Sequence, residues 1–197
     1  DKIVGMIRSA GASSKRARCC SLIGDLVAQG RSVIVWCIFI KSMSDLQRGL
    51  AGMGIEARTI NGQDDLVCRS ADLDDFRAGK FPVLITNPHT LAESVSLHSI
   101  CHDAVYYEYS FNLVHLLQSR DRIHRLGLPQ DQQTRYYYLS EDYDLGRPDP
   151  WSLDEEIYTR LREKENTMLR CIDSEILETQ PTSQEDLDAI FVGLFDD

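Results

Sequence analysis

Apolar runs and helix-period stretches alternate along the first 140 residues. Lys15 to Ala28 places Cys19, Leu22, Ile23, Leu26 and Val27 at helical spacing, and Gly30 stops the pattern. The run Val33–Ile40 (VIVWCIFI) has the length of a buried strand. A helix over Asp45–Met53 follows, with Ser42 or Ser44 as its cap and Gly54 as its stop. Ile55–Ile60 reads as a strand closed by the turn Asn61-Gly62. A helix over Leu66–Ala78, with Leu73 and Phe76 as core positions, leads to a strand over Pro82–Thr86. Ala104–Tyr109 is the next strand, Asn112–Arg125 the next helix, and Thr134–Leu139 the last strand, its tyrosines alternating between faces. Units of about 25–30 residues of this kind predict an α/β fold: a parallel sheet with helices on both faces. Function in such sheets gathers beyond the carboxyl ends of the strands, here the loops after Ile40, Ile60, Thr86 and Tyr109.

The character changes after Leu139. Ser140–Pro150 carries Gly146, Pro148 and Pro150 and reads as a loop. Leu153–Leu177 reads as one long charged helix whose apolar side is Ile157, Leu161, Met168 and Leu169. A second helix follows Pro181, with Ser183 as N-cap and Asp186 at the capping-box position. The expected organisation is a domain over 1–140 and an acidic, mainly helical C-terminal extension over 141–197. Charge sharpens that division. The net charge is −10, but residues 1–140 carry 16 basic and 14 acidic side chains, whereas 141–197 carry 5 and 17. Contact with a nucleic-acid backbone is therefore permitted in the first part and opposed in the second.

Other classes fall away. No apolar run approaches the roughly 18 residues of a membrane helix, and the N-terminus has no signal-peptide core. Six cysteines show no C-x-x-C pair, so they read as reduced thiols of an intracellular protein, cytoplasmic or, in a eukaryote, nuclear. Cys68, Cys101 and His102 lack the spacing of zinc ligands, and no metal site is expected. Asp1 is not an initiator Met, so the chain is expected to be a fragment or a processed product.

Chemistry concentrates in Gln118-Ser119-Arg120-Asp121-Arg122-Ile123-His124-Arg125-Leu126-Gly127. On a helix, Gln118, Arg122 and Arg125 share one face, being four and three residues apart. Two guanidiniums so placed present donors that fit phosphate oxygens, and phosphoryl transfer requires fixed positive charge at the γ-phosphate. On spacing alone, a solvated helix face with ordinary surface arginines fits as well.

The pattern Q-x-x-D-R-x-H-R-x-G resembles motif VI of superfamily-two helicases, most closely the Swi/Snf-like branch of double-stranded DNA translocases. Upstream segments follow in the family's order. Val33–Leu46 is similar to motif IV, Ile60-Asn61-Gly62 to the family's hydrophobic-Asp-Gly turn, Val83–Leu97 (VLITNPHTLAESVSL) to motif V, and Tyr107–Asn112 (YEYSFN) to Y-D-x-x-W-N. The resemblance, over roughly residues 15–140, implies the C-terminal RecA-like lobe of an ATP-dependent motor. It implies Arg125 on the γ-phosphate with Arg122 in support as the catalytic arginines, and Gln118, Glu93 and Ser94 positioning ATP. For the DNA backbone it implies contacts from Lys41, Ser42, Asn61, Thr86 and Asn87.

The sequence departs from the family in motif V, where Thr90, Leu91 and Ser94 replace glycines and Ser96 replaces Asn, and after Gly127, where Leu128-Pro129 follows. They suggest a divergent branch, bacterial or from a phage. No G-x-x-x-x-G-K-[ST] and no Asp-Glu-x-His run occurs. ATP and Mg²⁺ are thus expected mainly on an N-terminal RecA-like lobe that this chain lacks, leaving the fragment inactive alone. Duplex DNA is the expected substrate, and the acidic extension either packs back across the lobes or binds a protein partner. A non-catalytic RecA-like interaction module and an RNA helicase lobe are the alternatives.

Overall fold

A computed structural model describes residues 14–91, 96–124, 132–144, 146, 148–174 and 181–195. In chain order these form α1 (Ser14–Ala28), β1 (Val33–Trp36), α2 (Ile40–Gly52), β2 (Ala57–Ile60), α3 (Leu66–Arg77), β3 (Val83–Thr86), β4 (Asp103–Tyr106), α4 (Leu113–Asp121), β5 (Arg135–Tyr138), α5 (Leu153–Ser174) and α6 (Ser183–Phe195). The strands make one sheet in the order β2-β3-β1-β4-β5. Every pair is parallel, and the register sets Ile60, Thr86, Trp36, Tyr106 and Tyr138 side by side at the carboxyl edge. β1 and β4 are neighbours whose chains leave in opposite directions, which makes the crevice above them the switch point of the sheet.

Alternation along each strand divides the core into two layers. Ile34, Trp36, Leu84, Ala104 and Tyr106 meet Leu73 and Phe76 of α3, Leu116 of α4, Ile157 and Leu161 of α5, and Ile190 of α6. Val33, Val35, Val83, Ile85 and Val105 meet Cys19, Ile23 and Leu26 of α1 and Met43, Leu46 and Leu50 of α2. Strands covered on both faces read as continuous apolar runs, which is why they are visible in the sequence. The tyrosine run of β5 alternates as expected, Tyr136 and Tyr138 to the first layer and Tyr137 to the second.

The apolar run VIVWCIFI does not stay a strand. β1 ends at Trp36, and α2 starts at Ile40, well before the expected Asp45. Neither Ser42 nor Ser44 caps it: the N-cap is Phe39, which offers no side-chain acceptor. Glu108, beyond β4, supplies one instead, accepting from the backbone N–H of Ile38 (2.8 Å) and of Phe39 (2.9 Å). A carboxylate at the positive end of a helix satisfies orphan donors and the macrodipole together. The C-terminal signal holds: Gly54 follows α2 at φ +74°, a left-handed conformation that glycine adopts without a Cβ penalty.

The residues after 140 join the same core as the sheet, through Ile157, Leu161 and Ile190. Of the expected apolar side of α5, Met168 is only partly covered and Leu169 is exposed. The helix cap before α6 sits one residue earlier than the sequence pattern suggested. Glu185 reaches back to the Thr182 N–H (2.7 Å) while the Glu185 N–H bonds to the Thr182 hydroxyl (3.3 Å), so Thr182 and Glu185 form the capping box. Among the described residues no helix is long and apolar enough to cross a membrane. All six cysteines are free, and burial pushes the Cys101 thiol up to about 12.

Candidate functional site

α4 is fixed at its start by Asn112, whose side chain accepts from the Val114 N–H at 2.9 Å. The helix ends at Asp121, four residues before the expected Arg125. Arg122 keeps right-handed helical angles, and the N–H groups of Ile123 and His124 both turn back to the Arg120 carbonyl (3.2 and 3.1 Å). Burial of Ile123 in the core draws the chain inward at that point. Gln118 and Arg122 are therefore still one turn apart on one face. Arg125, Glu93 and Ser94 lie outside the described residues.

Each described residue in the middle of the arginine segment is held by something different. The Tyr106 hydroxyl sits 2.7 Å from that of Ser119, which itself donates to the Leu116 carbonyl at 2.7 Å. Arg120 donates to the Tyr138 hydroxyl (3.0 Å) and to Glu165 (2.8 Å). The Arg122 carbonyl accepts from the Leu97 N–H at 2.9 Å, tying the segment to the end of the loop after β3. Arg122 is only 7% exposed, so its guanidinium is mostly withdrawn from solvent in this conformation.

The five expected DNA contacts separate on inspection of their neighbours. Thr86 is fully buried and its hydroxyl donates to the Ile60 carbonyl at 2.8 Å, clipping β3 to β2. The Ser42 hydroxyl donates to Glu108 at 2.5 Å and is already used. Asn87 donates to the Ile38 carbonyl (3.0 Å) and accepts from the His89 N–H (2.8 Å), bridging the loops after β3 and β1. Asn61 shapes its own turn by accepting from the Gln63 N–H at 2.8 Å. Lys41 is the most open, paired with Asp45 at 3.0 Å on the surface of α2. Glu108, which no spacing or turn signal in the sequence singles out, sits at the switch point, joined to β1 through the Trp36 carbonyl and to α2 through Ser42.

The carboxyl edge also exposes apolar side chains at the starts of three helices: Phe39 and Ile40 at α2, Leu66 and Val67 at α3, and Val114 at α4. Leu66 and Val67 are the most open of them, at 71% and 75% exposed.

Two histidines meet at this edge, His89 from the loop after β3 and His115 in α4, with ring centroids 5.3 Å apart. Burial, and then the neighbouring His89, holds the His115 imidazole below its ordinary 6.5; burial does the same to His102. The unfolded chain therefore takes up protons that the folded chain refuses, so stability is full above the ordinary value and falls as pH drops below it. Thermal melts between about pH 7 and about pH 5 are expected to show that fall, and His115→Gln to make it shallower. An unchanged slope in the variant removes His115 from the account.

A family model described as the helicase conserved C-terminal domain matches residues 14–127. No curated protein matches the chain. Among solved structures, the C-terminal part of the Fun30 ATPase domain is similar at TM-score 0.66 and 21% identity, over 92% of this chain and 54% of that one. Dbp5 of S. cerevisiae, bound to RNA and ADP BeF3, is similar at TM-score 0.61 and 19% identity, over 76% of this chain and 35% of that one. The Hef helicase domain of Pyrococcus furiosus gives TM-score 0.50 and 21% identity, over 63% and 25%. This chain thus spans about half the length of the first and about a third or less of the others, and at these identities the likeness is one of fold.

Proposed function

The chain belongs to the family of helicase conserved C-terminal domains, and from that premise we propose that it is the second lobe of an ATP-dependent translocase of the Swi/Snf-like branch that tracks on duplex DNA. The observation that carries the reading is the arginine segment itself: Gln118 and Arg122 on one face of a helix end that β4, β5 and the loop after β3 hold in place. Such fixed charge suits a γ-phosphate, because it needs no reorganisation when charge develops in the transition state. Arg125 takes the γ-phosphate, Arg122 supports it from its buried seat, and Gln118 orients the nucleotide.

ATP fits this lobe in part. Guanidinium and amide donors are present, while among the described residues no group of three acidic, His or Cys side chains stands together to hold Mg²⁺. The proposal places both ligands mainly on an N-terminal RecA-like lobe. The exposed Phe39, Leu66, Val67 and Val114 support docking of a protein partner on the carboxyl edge, as closure over nucleotide requires. Of the five proposed contacts with the DNA backbone, Lys41 is the most exposed; such groups position a backbone without reading sequence. The burial of Arg122 favours a second reading, a scaffold lobe with no turnover.

ATP turnover by this chain alone, and joined to its N-terminal lobe, each with and without duplex DNA or RNA, tests the proposal. The chain alone is expected to be silent and the joined polypeptide to be stimulated by duplex DNA. Stimulation by RNA alone moves the substrate, and silence of the joined polypeptide leaves the scaffold reading.

A further inference from the structure

The family match ends at residue 127, and α5 lies wholly beyond it. Even so, α5 reaches back to the arginine segment. Glu165 accepts from Arg120 Nη1 at 2.8 Å, while Arg120 Nε donates to the Tyr138 hydroxyl at 3.0 Å. The guanidinium also lies 5.9 Å from the Tyr138 ring centroid. That ring is stacked on Tyr106 (4.8 Å, 12° between planes) and packed against Tyr158 of α5 (4.7 Å). One guanidinium thus gathers side chains from β5 and α5 around the last turn of α4.

Position makes this more than another surface pair. Arg120 precedes Arg122 by two residues, which is about 200° around a helix. A grip on Arg120 therefore fixes the rotation of the helix end, and with it the direction of Arg122. The same turn carries backbone bonds that depend on that rotation: Ile123 N–H and His124 N–H to the Arg120 carbonyl, and Leu97 N–H to the Arg122 carbonyl. Both partners are partly exposed, Arg120 at 22% and Glu165 at 25%, so orientation matters here more than stability.

We propose that Glu165 is a positioning residue for the arginine segment: through Arg120 it sets the terminal turn of α4 and couples docking of the C-terminal extension to presentation of the arginines. The functional half of this inference rests on the proposed motor reading. The structural half does not.

Hydrogen exchange on the chain itself tests the structural half. Glu165→Ala is expected to raise exchange at the amides of Leu97, Ile123 and His124 by about two- to fivefold, the loss of one partly exposed ion pair. Exchange at Val35 and Ile85 in the sheet should not move. Glu163→Gln, which removes the same charge from a residue paired with Arg160 on the surface of α5, should leave all of these amides unchanged. No response to Glu165→Ala, or a uniform rise across the sheet, overturns the clamp.

The functional half is read in the polypeptide joined to its N-terminal lobe. There Glu165→Ala is expected to lower kcat about tenfold with little change in KM for ATP, because positioning acts on the transition state. Local exchange with unchanged kcat overturns the coupling. If the unaltered joined polypeptide has no turnover, it is the motor reading that fails, and the exchange data still decide the clamp.

Discussion

Arg125→Ala, in the polypeptide that joins this chain to its ATP-binding lobe, is expected to lower DNA-stimulated ATP turnover by about 10³-fold or more, the range measured for loss of a catalytic arginine in phosphoryl transfer. The effect should fall on kcat, since in the proposed role the guanidinium would meet charge that develops only as the γ-phosphoryl group transfers. Arg125→Lys should recover little, because an ammonium is a point charge without the planar fork that spans two phosphate oxygens. Arg122→Ala is a poorer probe: at 7% exposure the side chain is part of the packing, and its loss mixes folding with chemistry. Steady-state turnover at saturating DNA, with thermal melts of each variant alongside, checks the expectation. An Arg125→Ala variant that melts normally and still turns over at the parental rate removes Arg125 from the γ-phosphate.

The parts of this molecule that local physics determines were legible in the sequence. Buried parallel strands are apolar on both faces, so Val33–Trp36, Val83–Thr86 and their neighbours announce themselves. Gly54 marks the end of α2 because its backbone is left-handed, and Asn112 marks the start of α4 because its amide caps it. The spacing of Gln118 and Arg122 needs nothing but helical geometry. What stayed hidden depends on contacts far along the chain. The run to Ile40 reads as strand, and it is Glu108, 69 residues after Phe39, that turns its end into a helix. Thr86 ends its strand in the sequence pattern and in the structure alike, but the hydroxyl's bond to the Ile60 carbonyl depends on pairing with β2, 26 residues away, and no local pattern shows it. Arg120 and Glu165 lie 45 residues apart, and neither periodicity nor the family pattern joins them.

Lys164→Met is expected to have the largest effect on stability, about 3–5 kcal/mol, the cost of leaving one member of a buried ion pair alone. Lys164 is 11% exposed and its partner Asp186, on α6, is 1% exposed. The ammonium bonds to one Asp186 oxygen and to the Phe111 carbonyl at 3.4 Å; the other Asp186 oxygen has no hydrogen-bond partner among the described residues. Without Lys164 the Asp186 carboxylate stays buried without its ion-pair partner, which favours release of α6. Lys164→Met with Asp186→Leu removes both charges, so the double variant should recover most of the loss, as buried pairs replaced by apolar side chains do. Chemical denaturation of the three chains measures the cycle. A loss below about 1 kcal/mol for Lys164→Met would mean that the pair is solvated, as surface pairs are, and that α6 does not dock through it. The result bears on function because Lys164 and Glu165 are consecutive: one reaches the carbonyl just before α4, the other the arginine in its last turn. α5 thereby brackets both ends of the helix that carries the arginine segment, and α6 holds α5 through Asp186. Undocking α6 should loosen that bracket, so Lys164→Met should raise exchange at Leu97, Ile123 and His124 in the direction expected for Glu165→Ala.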